Sequence, residues 1–207
     1  MMIQPDPEKN ANAPKKSQTL QHPLQNSWML WFNKVNKSHA FEAELVKIHV
    51  VKTVEEFWSV FDSVKHPGDL EFMAEISLFK VGIDPKWEDP LNYNGGRWVF
   101  EVDGNPRGRQ DAYLLTMLSI ISDQLGDQTD LISGLSCSNR KRRVRVSIWL
   151  QVCDNRVLDI GYCYLMIRNR LRDMVNSKVE WYFETFESAR NRCENRGLRL
   201  EKKHILR

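Results

Sequence analysis

The sequence predicts an α+β protein, a mainly antiparallel sheet with helices on one face. Three observations carry that reading. Strand-like and helix-like stretches follow in the order strands, helix, strands, helix, hairpin, helix, strand; consecutive strands come as hairpin-like neighbours; and no internal repeat divides the 207 residues. A chain of this length suits one domain with tails, so we expect a disordered tail over 1–20 and a single domain over 21–207.

The elements follow in order. "SWMLWF" (Ser27–Phe32) and "AELVKIHVV" (Ala43–Val51) read as strands. "TVEEFWSVFDSV" opens a helix, because Thr53 with Glu56 three residues on forms a capping box; its core stripe is Phe57, Val60, Phe61 and Val64. "AEISLF" (Ala74–Phe79) and "GRWVFEV" (Gly96–Val102) are short strands flanking a loop. A second helix spans about Gln110 to Leu125, with Leu114, Leu118, Ile121 and Leu125 as its buried stripe. "LISGLSCS" and "VRVSIWLQV" pair through a cationic turn, a third helix runs from about Asn155 to Met174, and "KVEWYF" is another strand. A short charged helix at Glu187–Arg196 and the strand "HILR" close the chain.

Composition excludes several classes. The net charge of +3 is only mildly basic, so local clustering decides any nucleic-acid reading. No run of about 18 apolar residues predicts a membrane span, and the N-terminus lacks a signal-peptide core. Cys137, Cys153, Cys163 and Cys193 show neither a CxxC nor a paired Cys/His spacing, which argues for free thiols and against zinc. The histidines are scattered, and no phosphate-binding glycine loop, Ser/His/Asp set or HExxH appears, so no catalytic residue, cofactor or metal is expected.

Two stretches do suggest binding chemistry. In "NRKRRVRVSIWL", Arg140, Lys141, Arg142, Arg143 and Arg145 cluster with no acid nearby in the sequence, and strand alternation puts Arg145, Ser147 and Trp149 on one face. That face would suit a phosphorylated, stackable ligand; the plainer alternative is a solvated hairpin tip or a nuclear-import-like run. In "DPKWEDPLNYNGGRW", Trp87 stands beside Glu88 in a segment too rich in Pro, Asn and Gly for helix or strand. The ring either folds back as a plug or is kept for a ligand. A cationic purine would stack on it while its N–H edge reaches the carboxylate. "WED" also offers two carboxylates, without a recognisable acid–base partner. Val54 and Trp58 lie off the core stripe of the first helix, and Leu115 off that of the second. Isolated exposed apolar residues are normal, while a valine and a tryptophan one turn apart suit a docking helix.

In order, "HPLQNSWMLWF" (His22–Phe32), "TVEEFWSVF" (Thr53–Phe61), "SLFKVGIDPKWEDPLNYNGGRW" (Ser77–Trp98) and "VSIWLQVCDNR" (Val146–Arg156) resemble the eukaryotic translation initiation factor 4E family of messenger RNA cap-binding proteins. The likeness covers about residues 22–183. It implies a curved antiparallel sheet of about eight strands backed by three helices on its convex face. It implies no covalent chemistry, and a monomer in the cytoplasm with a nuclear pool besides. Phe41 and Trp87 would sandwich 7-methylguanine, Glu88 would bind the base edge, and Trp149 would meet the methyl group. Arg140 and Arg145, with Arg97 as a lesser candidate, would hold the phosphates.

Phe41 stands where the family usually has tryptophan, which implies a cap affinity weaker by roughly 0.5–1.5 kcal/mol. His22, Pro23, Leu24, Val54, Trp58, Leu114 and Leu115 match the docking site for the Tyr-x-x-x-x-Leu-Φ helix of the initiation scaffold and of binding-protein repressors. Leu115 replaces the usual glutamate. The resemblance therefore implies an initiation factor that binds capped messenger RNA and a scaffold partner. Alternatives are a cap-binding repressor, a branch that Phe41 and "HPGDL" (His66–Leu70) also resemble, and a partner-binding module with weakened cap binding.

Overall fold

The computed structural model describes residues 21–34, 44–103, 105–170, 180–195 and 197–206. The tail expected over 1–20 and the predicted stacking residue Phe41 lie outside the described residues. Strands β1 (Pro23–Lys34), β2 (Glu44–Thr53), β3 (Glu75–Lys80), β4 (Gly96–Asp103), β5 (Ile132–Asn139), β6 (Arg143–Leu150), β7 (Trp181–Thr185) and β8 (His204–Leu206) form one sheet in the order β2-β1-β3-β5-β6-β4-β7-β8. Its ladders are all antiparallel, as expected.

The described α-helices number four, the three that the resemblance implies and the short charged one expected at Glu187–Arg196: α1 (Val54–Ser63), α2 (Pro106–Ile121), α3 (Arg156–Arg170) and α4 (Phe186–Glu194). The first three cover one face and fill one core with it. Phe57 and Phe61 of α1, Tyr113, Met117 and Ile120 of α2, and Val157, Ile160 and Tyr164 of α3 meet Trp28, Leu78, Trp98, Phe100, Val146 and Trp181 of the sheet. The fourth is different. Its Phe186 packs into a separate apolar cluster on the opposite, open face.

Local chemistry fixes the helix starts. Thr53 Oγ1 accepts the Glu56 N–H at 3.2 Å, as the predicted capping box requires, while the Glu56 carboxylate reaches back one residue further, to the Lys52 N–H at 2.6 Å. The second helix begins earlier than expected, at Pro106 instead of Gln110. Asn105 caps it by accepting the Gly108 N–H at 2.7 Å, and proline suits a first helical position. Its buried side is partly rotated: Tyr113, Thr116, Met117 and Ile120 are buried together with the expected Ile121, while Leu114 and Leu118 are half-buried. A hydroxyl made this possible, because Thr116 Oγ1 lies 2.6 Å from the buried Tyr164 hydroxyl and 2.7 Å from the Ala112 carbonyl it donates to. Leu125 is buried as expected, but lies beyond the helix end.

Trp98 joins the third helix to the sheet, its Nε1 donating to the Val157 carbonyl at 2.8 Å. Gly161 lies directly over that ring. A Cβ there would sit 2.6 Å from Trp98 and 2.9 Å from Leu206, so Gly161→Ala should destabilise by about 1–3 kcal/mol through overpacking. Thermal unfolding checks this, with a melting temperature lower by about 2–10 °C as the expected result.

Candidate functional site

Strand alternation sorts the side chains, and the open face receives a distinctive set. Met29 and Trp31 of β1 lie beside Ser77 and Phe79 of β3, Ser77 pairs with Ser136 of β5, and Ser136 with Ser147 of β6. Further across, Arg145 faces Glu101, Trp149 faces Arg97, and Arg97 faces Glu184 of β7. The open face thus combines an aromatic floor with paired charges.

The floor consists of Trp31, Phe79, Ile83, Trp149 and Phe186, with Trp87 packed half-buried against it. Trp149 is on the predicted face but is not an open ring. Only 4% of it is exposed, because Phe186 covers it at a centroid distance of 4.5 Å and Phe79 meets it edge-on at 5.3 Å. Its Nε1 donates to Ser136 Oγ at 3.2 Å.

The segment between β3 and β4 holds Trp87 without regular structure. Asp89 organises it: its carboxylate accepts the Asp84 N–H at 2.8 Å and the Leu91 N–H at 2.9 Å. The fully buried Asn92 side chain donates to the Asp84 and Lys86 carbonyls at 2.9 and 3.0 Å. Asp89 is therefore consumed by the loop, and the carboxylate pair read from "WED" does not act as a pair. Glu88 differs. It is exposed and makes no hydrogen bond or ion pair with a described residue. The result is a braced loop presenting a half-exposed indole beside an uncommitted carboxylate.

The cations are more engaged than the sequence suggested. Acids distant in the chain are brought to them across the ladders. Glu101 accepts from Arg145 Nη2 at 2.7 Å and Nε at 2.9 Å, and from Arg143 Nη1 at 2.6 Å. Burial alone would raise the Glu101 carboxyl, yet these hydrogen bonds hold it below its ordinary value. Arg97 donates from Nη2 and Nε to the buried Glu184 at 3.0 and 3.2 Å, and Arg192 contacts the other Glu184 oxygen. Arg97 is thus largely committed inside the protein. Arg140 closes the β5–β6 hairpin through its N–H, 2.8 Å from the Arg143 carbonyl, and its guanidinium lies half-buried against Met73. Burial, then the nearby Arg145 charge, lowers its pKa. Desolvation raises the neighbouring Glu75 carboxyl, while Arg97 and Arg140 pull it down.

The family model described as Eukaryotic initiation factor 4E matches residues 23–197. The chain belongs to that family. It is 36% identical to human eukaryotic translation initiation factor 4E over 162 residues, which are 76% of this chain and 74% of that protein. Among solved structures, the complex of C. elegans eIF4E-3 with the 4E-binding protein Mextli matches with a TM-score of 0.75 and 27% identity, covering 90% of this chain and 100% of that one. A Schistosome eIF4E complexed with m7GpppG and 4E-BP matches with a TM-score of 0.72 and 29% identity, covering 90% and 99% of the two chains.

This initiation factor 4E family member has a second surface on its helix-covered side. Val54 and Trp58 are 38% and 40% exposed on α1, and Leu114 and Leu115 of α2 and Leu24 are half-buried. His22 is tied in by its ring nitrogen, 2.6 Å from Glu55, while its N–H donates to Glu55 at 3.1 Å. The His22 carbonyl accepts the Val54 N–H at 2.9 Å, and Pro23 pairs with Thr53, so the start of β1 is bonded directly to the start of α1. His22 and Pro23 are thus joined to the start of α1, while Leu24, Leu114 and Leu115 pack against the helix-covered core.

Residue patterns missed Asp89 and Asn92, which brace the loop, Glu101 and Glu184, which hold the cations, and Glu75, which lies within the field of Arg97 and Arg140. The first pair could have been suspected from Asp and Asn at turn spacing. The acids carried no local signal, since only the strand register brings them to their partners.

Proposed function

We propose that this protein binds the 7-methylguanosine cap of messenger RNA on the open face of its sheet and joins the initiation machinery through a scaffold partner docked on α1 and α2. The observation that carries the reading is the braced Trp87–Glu88 pair, a half-exposed indole beside a carboxylate with no described protein partner. A cationic base stacks on such a ring, and its N–H edge meets the carboxylate. Phe41 supplies the opposite ring, and Trp149 forms the wall that the methyl group approaches. Arg140 and Arg145 meet the phosphates, with Arg97 contributing charge while held by Glu184. The related Schistosome protein is described as complexed with m7GpppG and 4E-BP, which agrees with both surfaces. The reading is of a binding protein without covalent chemistry, acting as a monomer in the cytoplasm. No described helix is long and apolar enough to cross a membrane.

Retention on immobilised 7-methyl-GTP, followed by elution with 7-methyl-GTP and not with GTP, tests the cap reading; equal elution by both would contradict it. A repressor role is the second reading, favoured by Leu115, which leaves an apolar side chain where the family usually offers a carboxylate to the partner helix. Binding of a Tyr-x-x-x-x-Leu-Φ peptide to Val54 and Trp58 decides between them, and no binding would favour the repressor.

Glu101 gives a further prediction. It neutralises part of the charge that Arg145 offers to phosphates, so Glu101→Gln should tighten 7-methyl-GTP binding by about 3- to 10-fold. The 7-methylguanosine nucleoside should bind as before. An equal change for both ligands would show that Arg145 does not face the phosphates.

A further inference from the structure

Beyond Arg145, the far end of the same hairpin forms a cleft of about 520 Å³ lined by Asp103, Arg109, Lys141, Arg142 and Arg143. We propose that this cleft holds the sugar–phosphate backbone of the nucleotides that follow the cap, a proposal that rests on the cap reading. Four observations lead there.

The charge is unbalanced: four cations and the Asp103 carboxylate line the cleft, and of the four only Arg143 has a further acid, Glu101, beside it among the described residues. Arg142 has no hydrogen bond or ion pair with a described residue, and Arg109 Nε is buried without a hydrogen-bond partner. Clustered like charges cost stability unless an anion offsets them.

The cleft is also built. Lys141 adopts a φ of 69°, a conformation uncommon for a side chain of this type. It is held there by its N–H donating to Asn139 Oδ1 at 2.9 Å and by Arg109 Nη1 donating to its carbonyl at 3.2 Å. Asn139 is itself fixed, its Nδ2 donating to the Leu70 carbonyl at 2.5 Å.

The cleft is continuous with the proposed phosphate site. Arg143 lines the cleft, and Arg145 belongs to the cap site; both hold one carboxylate, Glu101, at 2.6 and 2.7 Å. A phosphate chain leaving Arg145 therefore meets Arg143 next, then the turn.

An aromatic ring stands beside it. Phe72 is 54% exposed, and Lys141 Nζ lies 5.0 Å from its centroid. A ring next to a cationic track is what an unpaired base stacks on, which favours RNA over an acidic peptide.

The test compares 7-methyl-GTP with a capped decanucleotide, titrated against the full chain at several salt concentrations. The decanucleotide should bind about 5- to 30-fold tighter at low salt. Its log–log salt slope should be steeper by about 2, the value for about three additional phosphates on a single strand. Combining Arg109→Gln, Lys141→Gln and Arg142→Gln should abolish both differences and leave 7-methyl-GTP binding unchanged. Phe72→Ala should weaken only the decanucleotide, by about 5-fold. An unchanged decanucleotide affinity in the triple variant would overturn the proposal. So would competition by polyglutamate as strong as competition by uncapped RNA, which would assign the cleft to an acidic protein. Failure of the cap reading would appear as absent 7-methyl-GTP binding, whereas failure of the cleft would appear as equal binding of 7-methyl-GTP and the decanucleotide.

Discussion

Glu88→Ala is expected to lower the affinity for 7-methyl-GTP by about 100-fold, while GTP binding, already weak, changes little. On the proposed cap reading the carboxylate accepts the N–H edge of the base, and hydrogen bonds to a charged group contribute about 1.5–3 kcal/mol each. Two such bonds, discounted for the water that replaces them, come to about 3 kcal/mol. The side chain is exposed and has no described partner, so thermal stability should stay within about 0.5 kcal/mol of the parent. That separation gives the experiment its force. Isothermal titration beside a melting curve would show lost affinity in a fully folded protein. Near-normal selectivity for the methylated base would remove Glu88 from the site.

The largest expected effect on stability comes from Trp98→Ala. This ring is fully buried at the centre of the helix-covered face, 5.4 Å from Phe183 and 6.4 Å from Trp181 by ring centroids. Its Nε1 hydrogen bond anchors α3, and Gly161 is shaped to its surface. Removing a core tryptophan costs about 3–5 kcal/mol through lost burial and the cavity, and the hydrogen bond adds about 1. A total of about 4–6 kcal/mol is a large part of the stability of a typical domain. Calorimetry should show either an unfolded chain or a melting point lower by about 10–20 °C. A loss under about 2 kcal/mol would mean that α3 is not anchored through this ring.

These two residues also show what the chain made legible. A tryptophan and an acid in a loop of Pro, Asn and Gly single out Glu88, and the structure leaves that carboxylate exposed beside the half-exposed Trp87 ring. The strands were legible from alternation, and α1 from Thr53 and Glu56, because both signals are local. Three features were not. Alternation gives the face of Trp149 but not its cover, since the residue that buries it, Phe186, arrives from a helix far along the chain. The basic hairpin has no acid nearby along the chain, because Glu101 becomes its neighbour only through the pairing of β4 with β6. The buried side of α2 is partly rotated, since a buried Thr116 hydroxyl is acceptable only when Tyr164 of another helix is there to meet it. In each case the deciding contact is long-range, and a single chain read locally has no term for it.

The central claim is that the Trp87–Glu88 pair selects a methylated, cationic base. A tryptophan-fluorescence titration with 7-methyl-GTP, with GTP as the control, tests it most directly. The account predicts strong quenching at about micromolar or lower ligand, with GTP weaker by at least about tenfold, because only the methylated base adds cation–π attraction to stacking. Equal quenching by the two nucleotides would contradict it.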